Sequence, residues 1–373
     1  MMLFRSNFWI STFLLSGTII GVGMFALPFV FSRAGFLLGT IELAVLTFVT
    51  ILINLLYGEV ILRTSERHLL PGFVRLYLGK WFWLESLSAF IGFAGGLFVY
   101  ILLGGVFLAN LIGSSAEVGR IIFFGTGALL VLFNLKMGAR VNYALTVFLV
   151  LFILILSGLS FGHFSTGNIS GIDIGNIFLP YGVVLFSLAG GAIIPEMVSL
   201  LGEDKKLLYK SLAVGTLIPA AVYFVFILSV VGATGLAASP EALEGLRPLI
   251  GRPVFFLGNT IGFLALFTSF IIFGFTFEDI LKSDFGLKKF YAWLLFAAIP
   301  PAIFLLPIRD YVSVLGFLGA VALGIDNIFI LWLYRKTQQA GTRLPEYMLN
   351  IPPWAIILLG VLFFAGLAAP LLQ

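Results

Sequence analysis

Two apolar stretches of this chain are interrupted by small residues and followed closely by proline: Ser16-Gly17-Thr18-Ile19-Ile20-Gly21-Val22-Gly23 ahead of Pro28, and Ser187-Leu188-Ala189-Gly190-Gly191 ahead of Pro195. A helix broken inside an apolar medium exposes peptide amides and carbonyls, at a cost of several kcal/mol per group, so it persists only where protein, water or a ligand satisfies them. A half-helix N-terminus presents free amides with partial positive charge, and a half-helix C-terminus presents carbonyls with partial negative charge. A small zwitterion matches both. Its carboxylate is expected on the amides of Gly21, Val22 and Gly23, with Met24 beside them. Its ammonium is expected against carbonyls of Thr18 and Ile19 and of Phe186, Ser187, Leu188 and Ala189, with Gly190 and Gly191 leaving room. Glycine suits these places because a side chain would hold the ligand away from the backbone.

Thr268 and Ser269 place two adjacent hydroxyls in an otherwise apolar run. With the carbonyls of Gly17, Ile20 and Ala265 they form a set of hard oxygen ligands for sodium. The alternative is that both hydroxyls bond back to the preceding turn, as Ser and Thr commonly do in membrane helices. Tyr100 is placed to reach the substrate carboxylate, or else simply packs as an amphipathic ring. Acids inside apolar stretches are functional suspects, here Glu42, Glu196 and Asp326, the last followed by Asn327. Glu196 and Asp326 are the candidates for carrying a proton. Glu59, Glu278 and Asp279 lie near predicted helix ends and are expected to be solvated. Isolated glycines such as Gly92, Gly95, Gly96, Gly104 and Gly105 are assigned to close helix packing. His68 and His163 fall at loop boundaries. With no cysteine and 2 histidines, a disulfide framework and a Cys-based metal or redox centre are excluded, and no cofactor beyond a sodium ion is expected.

These residues must be positioned by a membrane scaffold. Of 373 residues, 61% are hydrophobic and 10% charged, which excludes an ordinary soluble domain. Basic residues are scattered between apolar stretches, so nucleic-acid binding is not indicated. Arg5 and the apolar run after it are read as a first permanent span, since no small-residue cleavage site follows. Stretches able to cross about 30 Å of hydrocarbon lie near 8–31, 36–62, 84–112, 119–135, 141–162, 176–201, 211–233, 253–281, 289–306, 311–335 and 352–371. With the N-terminus cytoplasmic and the C-terminus outside, only Arg33, Arg120, Arg247, Arg252 and Arg309 of the 21 basic residues face outward, as positive-inside retention requires. Arg5, Lys136 and the other basic residues lie inside. An amphipathic helix is expected near Pro71–Leu78, and the proline-rich connection 234–252 is expected to form an extracellular lid. The fold class is therefore an all-α membrane protein: eleven transmembrane helices, a five-plus-five inverted repeat with discontinuous helices 1 and 6, and one extra C-terminal helix. It forms one transmembrane domain over 1–373, with repeats at about 8–162 and 176–335 and the additional helix at 352–371.

The run Gly17-Thr18-Ile19-Ile20-Gly21-Val22-Gly23-Met24-Phe25-Ala26-Leu27-Pro28, ending in Ala34-Gly35-Phe36, resembles without a gap the helix 1 signature of the hydroxy/aromatic amino acid permeases. That family lies in the amino acid and auxin permease group of the amino acid–polyamine–organocation superfamily. Thr268-Ser269-Phe270 with Asp279 is similar to its helix 8 pattern, and Pro300-Pro301, Leu315-Gly316 and Gly319 to its helices 9 and 10. The resemblance spans nearly the whole chain and implies ion-coupled secondary uptake, by sodium or proton. One departure stands out: tryptophan- and tyrosine-type members carry Ser-Phe-Gly-Phe-His in helix 6, where this chain has Ser187-Leu188-Ala189-Gly190-Gly191. Loss of those bulky groups is expected to enlarge the pocket or change its preference. The expectation is a symporter of the cytoplasmic membrane that imports a neutral, aromatic or large apolar, amino acid by alternating access. Helices 1 and 6, with 2 and 7, would rock against 3, 4, 8 and 9. Its partners are the amino acid, the cation and the bilayer. The alternatives are an amino acid sensor with a transporter fold or a passive channel. A membrane enzyme would need a His or Cys partner that Glu196 and Asp326 lack.

Overall fold

The computed structural model describes residues 6–133, 139–283, 286–304 and 310–368, and every regular element among them is helical. Arg5, Lys136 and Arg309, used in the charge bias, lie outside the described residues, as do 305–306 and 369–371 at the ends of two predicted crossings. Helix α1 (Ser6–Ile19) and helix α2 (Leu27–Ala34) are halves of the first apolar stretch. They are joined through extended Gly21 and a 3-10 turn over Val22–Ala26, with a 48° bend. Pro28 falls in the first turn of α2, where its missing N–H costs nothing. Helix α3 (Phe36–Leu62) follows, then the short α4 (Leu70–Leu78), which buries Pro71, Phe73 and Val74 as the amphipathic pattern requires. Helices α5 (Phe82–Ile112), α6 (Ala116–Leu132) and α7 (Ala139–Phe161) complete the first half of the chain.

The second half opens with another interruption. Helix α8 (Leu179–Ser187) ends at Leu188; Ala189 and Gly190 leave the helical conformation, a 3-10 turn covers Gly191–Ile193, and α9 (Ile194–Leu201) resumes with Pro195 in its first turn. Then come α10 (Leu208–Thr234), α11 (Leu243–Ser283), α12 (Lys289–Ile303), α13 (Tyr311–Phe317), a π-helical segment over Leu318–Ala322, α14 (Leu323–Ala340) and α15 (Pro353–Ala368). By length and apolarity, 5 of the described helical stretches can cross a membrane, or up to 6 if the bent α1–α2 pair is one span. The remaining predicted crossings coincide with shorter or interrupted helices.

Close packing is achieved by glycine against bulk. Gly95, Gly96, Gly104 and Gly105 of α5 lie against Leu318, Phe273, Phe123 and Arg120, and a methyl group added at any of them would overlap its neighbour. Phe123 in turn sits among the rings of Phe263, Phe267 and Phe270, at centroid distances of 6.0, 5.3 and 5.4 Å. α8 meets the π segment through backbone contact, since a Cβ on Gly319 would collide with the Gly182 carbonyl.

Two connections are tied down against the helices. Residues 234–252, read as an extracellular lid, form a 3-10 turn over Gly235–Ala237, a connection that buries Ala238 and Ala242, and the first turns of α11, which bury Leu243 and Leu246 and kink at Gly251, φ 74°. Pro253 follows the kink and so begins a new helical run, while Pro248 lies within the turns before it. Residues 341–352 wrap onto the Arg63 end of α3. The Thr342 amide donates to the Arg63 carbonyl at 2.9 Å, the Tyr347 hydroxyl to the Leu55 carbonyl at 2.6 Å, and the Leu349 amide to Glu59 Oε2 at 2.6 Å. Burial pushes the Tyr347 phenol well above its ordinary pKa, so it remains a donor.

Candidate functional site

The two interruptions meet. A Cβ on Gly23 would lie 2.9 Å from Ser187 Cα and 3.1 Å from its Cβ, so the backbones of the first and second breaks touch at this point and only glycine allows it. Gly21, just before, is extended at φ −143° and ψ −152°, and its open side faces the Tyr100 hydroxyl, 3.4 Å from where a Cβ would stand. Tyr100 is buried on α5, with Ser269 of α11 close to its hydroxyl. The predicted carboxylate cradle, the tyrosine and one member of the predicted cation pair are thus brought into one chain of contacts.

Other predicted residues are placed differently. Val22 and Met24 are buried, at 1% and 0% exposure, and line the join. Ile20 is buried and its amide still donates to Ser16 O at 2.9 Å, so α-helical bonding continues one residue past Ile19. Thr18 is exposed, its hydroxyl folded back on the Leu14 carbonyl at 2.9 Å. Gly17 faces Thr146 of α7. Leu188 is buried and its amide donates to Val184 O, whereas Phe186 and Ala189 are half-buried. The pocket-enlarging role read for Gly190 does not hold: Leu15 and Ile19 of α1 fill the space a side chain there would need. Gly191 instead faces Asn54 Oδ1 of α3, at 3.8 Å from a built Cβ.

In the cation pair, the buried Thr268 hydroxyl donates to the Ala265 carbonyl at 3.0 Å, the back-bonding weighed as the alternative. The bond consumes the hydroxyl proton and leaves oxygen lone pairs on both atoms. Among the described residues no group of three or more His, Asp or Glu side chains is gathered to hold a metal. Glu196 is exposed in the first turn of α9, where a carboxylate favours the positive end of the helix. Asp326 is held by Ser88 of α5, whose hydroxyl lies 2.7 Å from Asp326 Oδ1 and 2.9 Å from the Ala322 carbonyl at the end of the π segment. Glu42 has both carboxylate oxygens buried without a hydrogen-bond partner. Asp279 pairs with Lys282 at 2.6 Å on an open surface. The solvated positions read for Glu59 and Glu278 are wrong, because the two are 0% and 2% exposed. Glu59 is buried by the 341–352 strap and by its 2.8 Å pair with Arg63, neither of which its place near a helix end foretells.

Three residues that sequence reasoning passed over belong to this region. Tyr223 of α10, fully buried, donates to the Ile19 carbonyl at 2.7 Å and faces the Ser187 carbonyl at 3.1 Å. Asn54 Nδ2 donates to the Thr216 hydroxyl at 3.3 Å beside Gly191. A lone tyrosine or asparagine in an apolar helix carries no spacing signal, and only the fold brings these to the breaks. An apolar groove of about 440 Å³ between α5, α6 and α11, lined by Leu108, Ile122, Thr126 and Phe263 among others, contains none of the break residues.

The family model described as the tryptophan/tyrosine permease family matches residues 5–369. No curated protein matches the sequence. Among solved structures, a manganese transporter from Eremococcus coleocola is 12% identical, with 99% of this chain and 88% of that one covered and a TM-score of 0.65. Mhp1 in its inward-facing conformation is 12% identical over 98% of this chain and 88% of its own, with a TM-score of 0.66. Mhp1 in a closed conformation with bromovinylhydantoin bound, a member of the nucleobase-cation-symport-1 family, is 14% identical over 97% and 90%, with a TM-score of 0.64. At these identities the likeness is one of fold.

Proposed function

The chain belongs to the tryptophan/tyrosine permease family, and from that premise we propose that it imports a neutral amino acid, aromatic or otherwise large and apolar, by ion-coupled alternating access across the cytoplasmic membrane. Family and structural neighbours are transporters, and the protein is a transporter, not an enzyme. The observation that carries the reading is the contact of Gly23 with Ser187, which brings both helix interruptions to one buried point. In this reading the chain crosses the membrane eleven times with its N-terminus inside, and α1–α2 and α8–α9 are equivalent members of two inverted five-helix repeats. The scatter of basic residues supports that orientation.

The substrate carboxylate lies on the amides of Gly21 to Gly23 under the Tyr100 hydroxyl, and its ammonium meets the carbonyls of Ile19 and Ser187. Sodium, if it is the coupling ion, takes the oxygens of Gly17, Ile20, Ala265, Thr268 and Ser269; a proton takes Asp326. Because the proposed cation seat and the cradle share the interrupted first stretch, with Gly17 and Ile20 on one side of the break and Gly21 to Gly23 on the other, order at the two is shared, and each ligand raises the affinity of the other. Melting of the purified protein in sodium or potassium salts with each standard amino acid tests this. Stabilisation by an amino acid that appears only in sodium, and that the Thr268→Val, Ser269→Ala double variant loses, is the expected outcome for the sodium form, since a ligand of the folded state alone raises its stability. An amino acid effect equal in both salts would remove the sodium seat. Accumulation in proteoliposomes against a gradient separates the symporter from a sensor, which binds only, and from a channel, which never accumulates.

A further inference from the structure

Tyr223 is wholly buried on α10, outside both interrupted helices, yet its hydroxyl sits at both of them. It lies 2.7 Å from the Ile19 carbonyl and 3.1 Å from the Ser187 carbonyl, and the Gly21 amide faces the same oxygen. One O–H carries one proton, so the two carbonyls share it, with the shorter bond to Ile19. The oxygen lone pairs remain available as acceptors beside the Gly21 amide. This single group therefore offers the break a donor for its carbonyls and an acceptor for its amide, the two functions that the ammonium and carboxylate of an amino acid would supply. The carbonyls of Ile19 and Ser187 are thereby kept from being stranded in an apolar interior.

We infer that the Tyr223 hydroxyl is the internal stand-in that satisfies the interrupted helices when the carrier is empty and gives way when substrate arrives. The inference rests on the transporter reading above. A symporter must cross the membrane once loaded and once empty in every cycle, and only the empty crossing lacks a ligand for these peptide groups. Tyr223 is then a positioning residue for the return step, and not a group that holds substrate.

The test separates the two crossings. Tyr223→Phe keeps the ring and removes the donor. In proteoliposomes supplied with a radiolabelled mixture of the standard L-amino acids, exchange between vesicles loaded on both sides uses only loaded crossings, while net uptake into empty vesicles also needs the return. The variant is expected to retain exchange within about twofold and to lose about tenfold in net uptake, the scale of stranding one buried carbonyl. Its affinity for the transported amino acid is expected to rise, because no internal competitor must leave. Equal loss of exchange and net uptake, or no change in either, would overturn the assignment. Failure of the unaltered protein to exchange or accumulate any of the mixture would overturn the transporter reading itself and this one with it. A readout that needs no loss of the hydroxyl is 3-fluorotyrosine at position 223: its fluorine resonance should shift on addition of a transported amino acid, and a resonance that stays fixed at saturating substrate counts against displacement.

Discussion

Gly21 and Gly23 are two residues apart and meet different neighbours, which fixes what each will tolerate. At Gly23 an added methyl group would press on Ser187 Cα, backbone that cannot swing aside. At Gly21 the φ of −143° suits any residue and the nearest atom is the Tyr100 hydroxyl at ordinary contact distance. Gly23→Ala is therefore expected to cost about 1–3 kcal/mol, read as a lowered melting temperature with loss of amino acid binding. Gly21→Ala should fold normally, and Gly21→Leu should fold but fail to bind in a thermal-shift screen, since its side chain enters the space under Tyr100. That both positions belong to one run of small residues was legible in the sequence. The difference between them was not, because it depends on Ser187, which lies on another helix. Tyr223 was invisible for the same reason, being 204 residues from the carbonyl it holds.

Interrupted helices left a mark in the sequence because clusters of small residues followed by proline weaken a helical run, and the breaks at Gly21 and at Ala189–Gly190 fall at the two clusters singled out, whereas the shorter pattern Gly215-Thr216 ahead of Pro219 lies within unbroken α10. The amphipathic α4 was equally legible. The π segment over Leu318–Ala322 was not, since a single widened turn leaves no mark on the hydrophobic pattern. It matters because its last carbonyl and Asp326 converge on Ser88. A hydroxyl has one proton to give, so the two acceptors share it, and a proton on Asp326 would release Ser88 to the Ala322 carbonyl alone. If Asp326 carries the coupled proton, Asp326→Asn should preserve folding and exchange while accumulation ceases to respond to an imposed pH gradient; Glu196→Gln, at an exposed position, should leave that response intact. A pH response that survives Asp326→Asn would exclude Asp326 as the carrier.

Across the whole molecule, the order of helices and their approximate ends were read from apolar runs, while the tertiary ties between distant segments were not, since hydrogen bonds between remote loops have no local pattern. The strap 341–352 is the clearest case. It gives Glu59 its second partner and covers the end of α3, with Tyr334 also donating to the Leu349 carbonyl. Glu59→Ala, which leaves Arg63 without its buried partner, is expected to lower stability by about 3 kcal/mol, and Tyr347→Phe by about 1 kcal/mol, measured by melting in detergent. The strap also has a meaning for biogenesis. The amide that completes the second helix is made 290 residues after the carboxylate it binds, so during translation the early helices must wait in the bilayer with that acid only half satisfied. A chain that stops before position 349 leaves Glu59 with Arg63 alone, so the Arg63 end of α3 is sealed only when synthesis has nearly run its course.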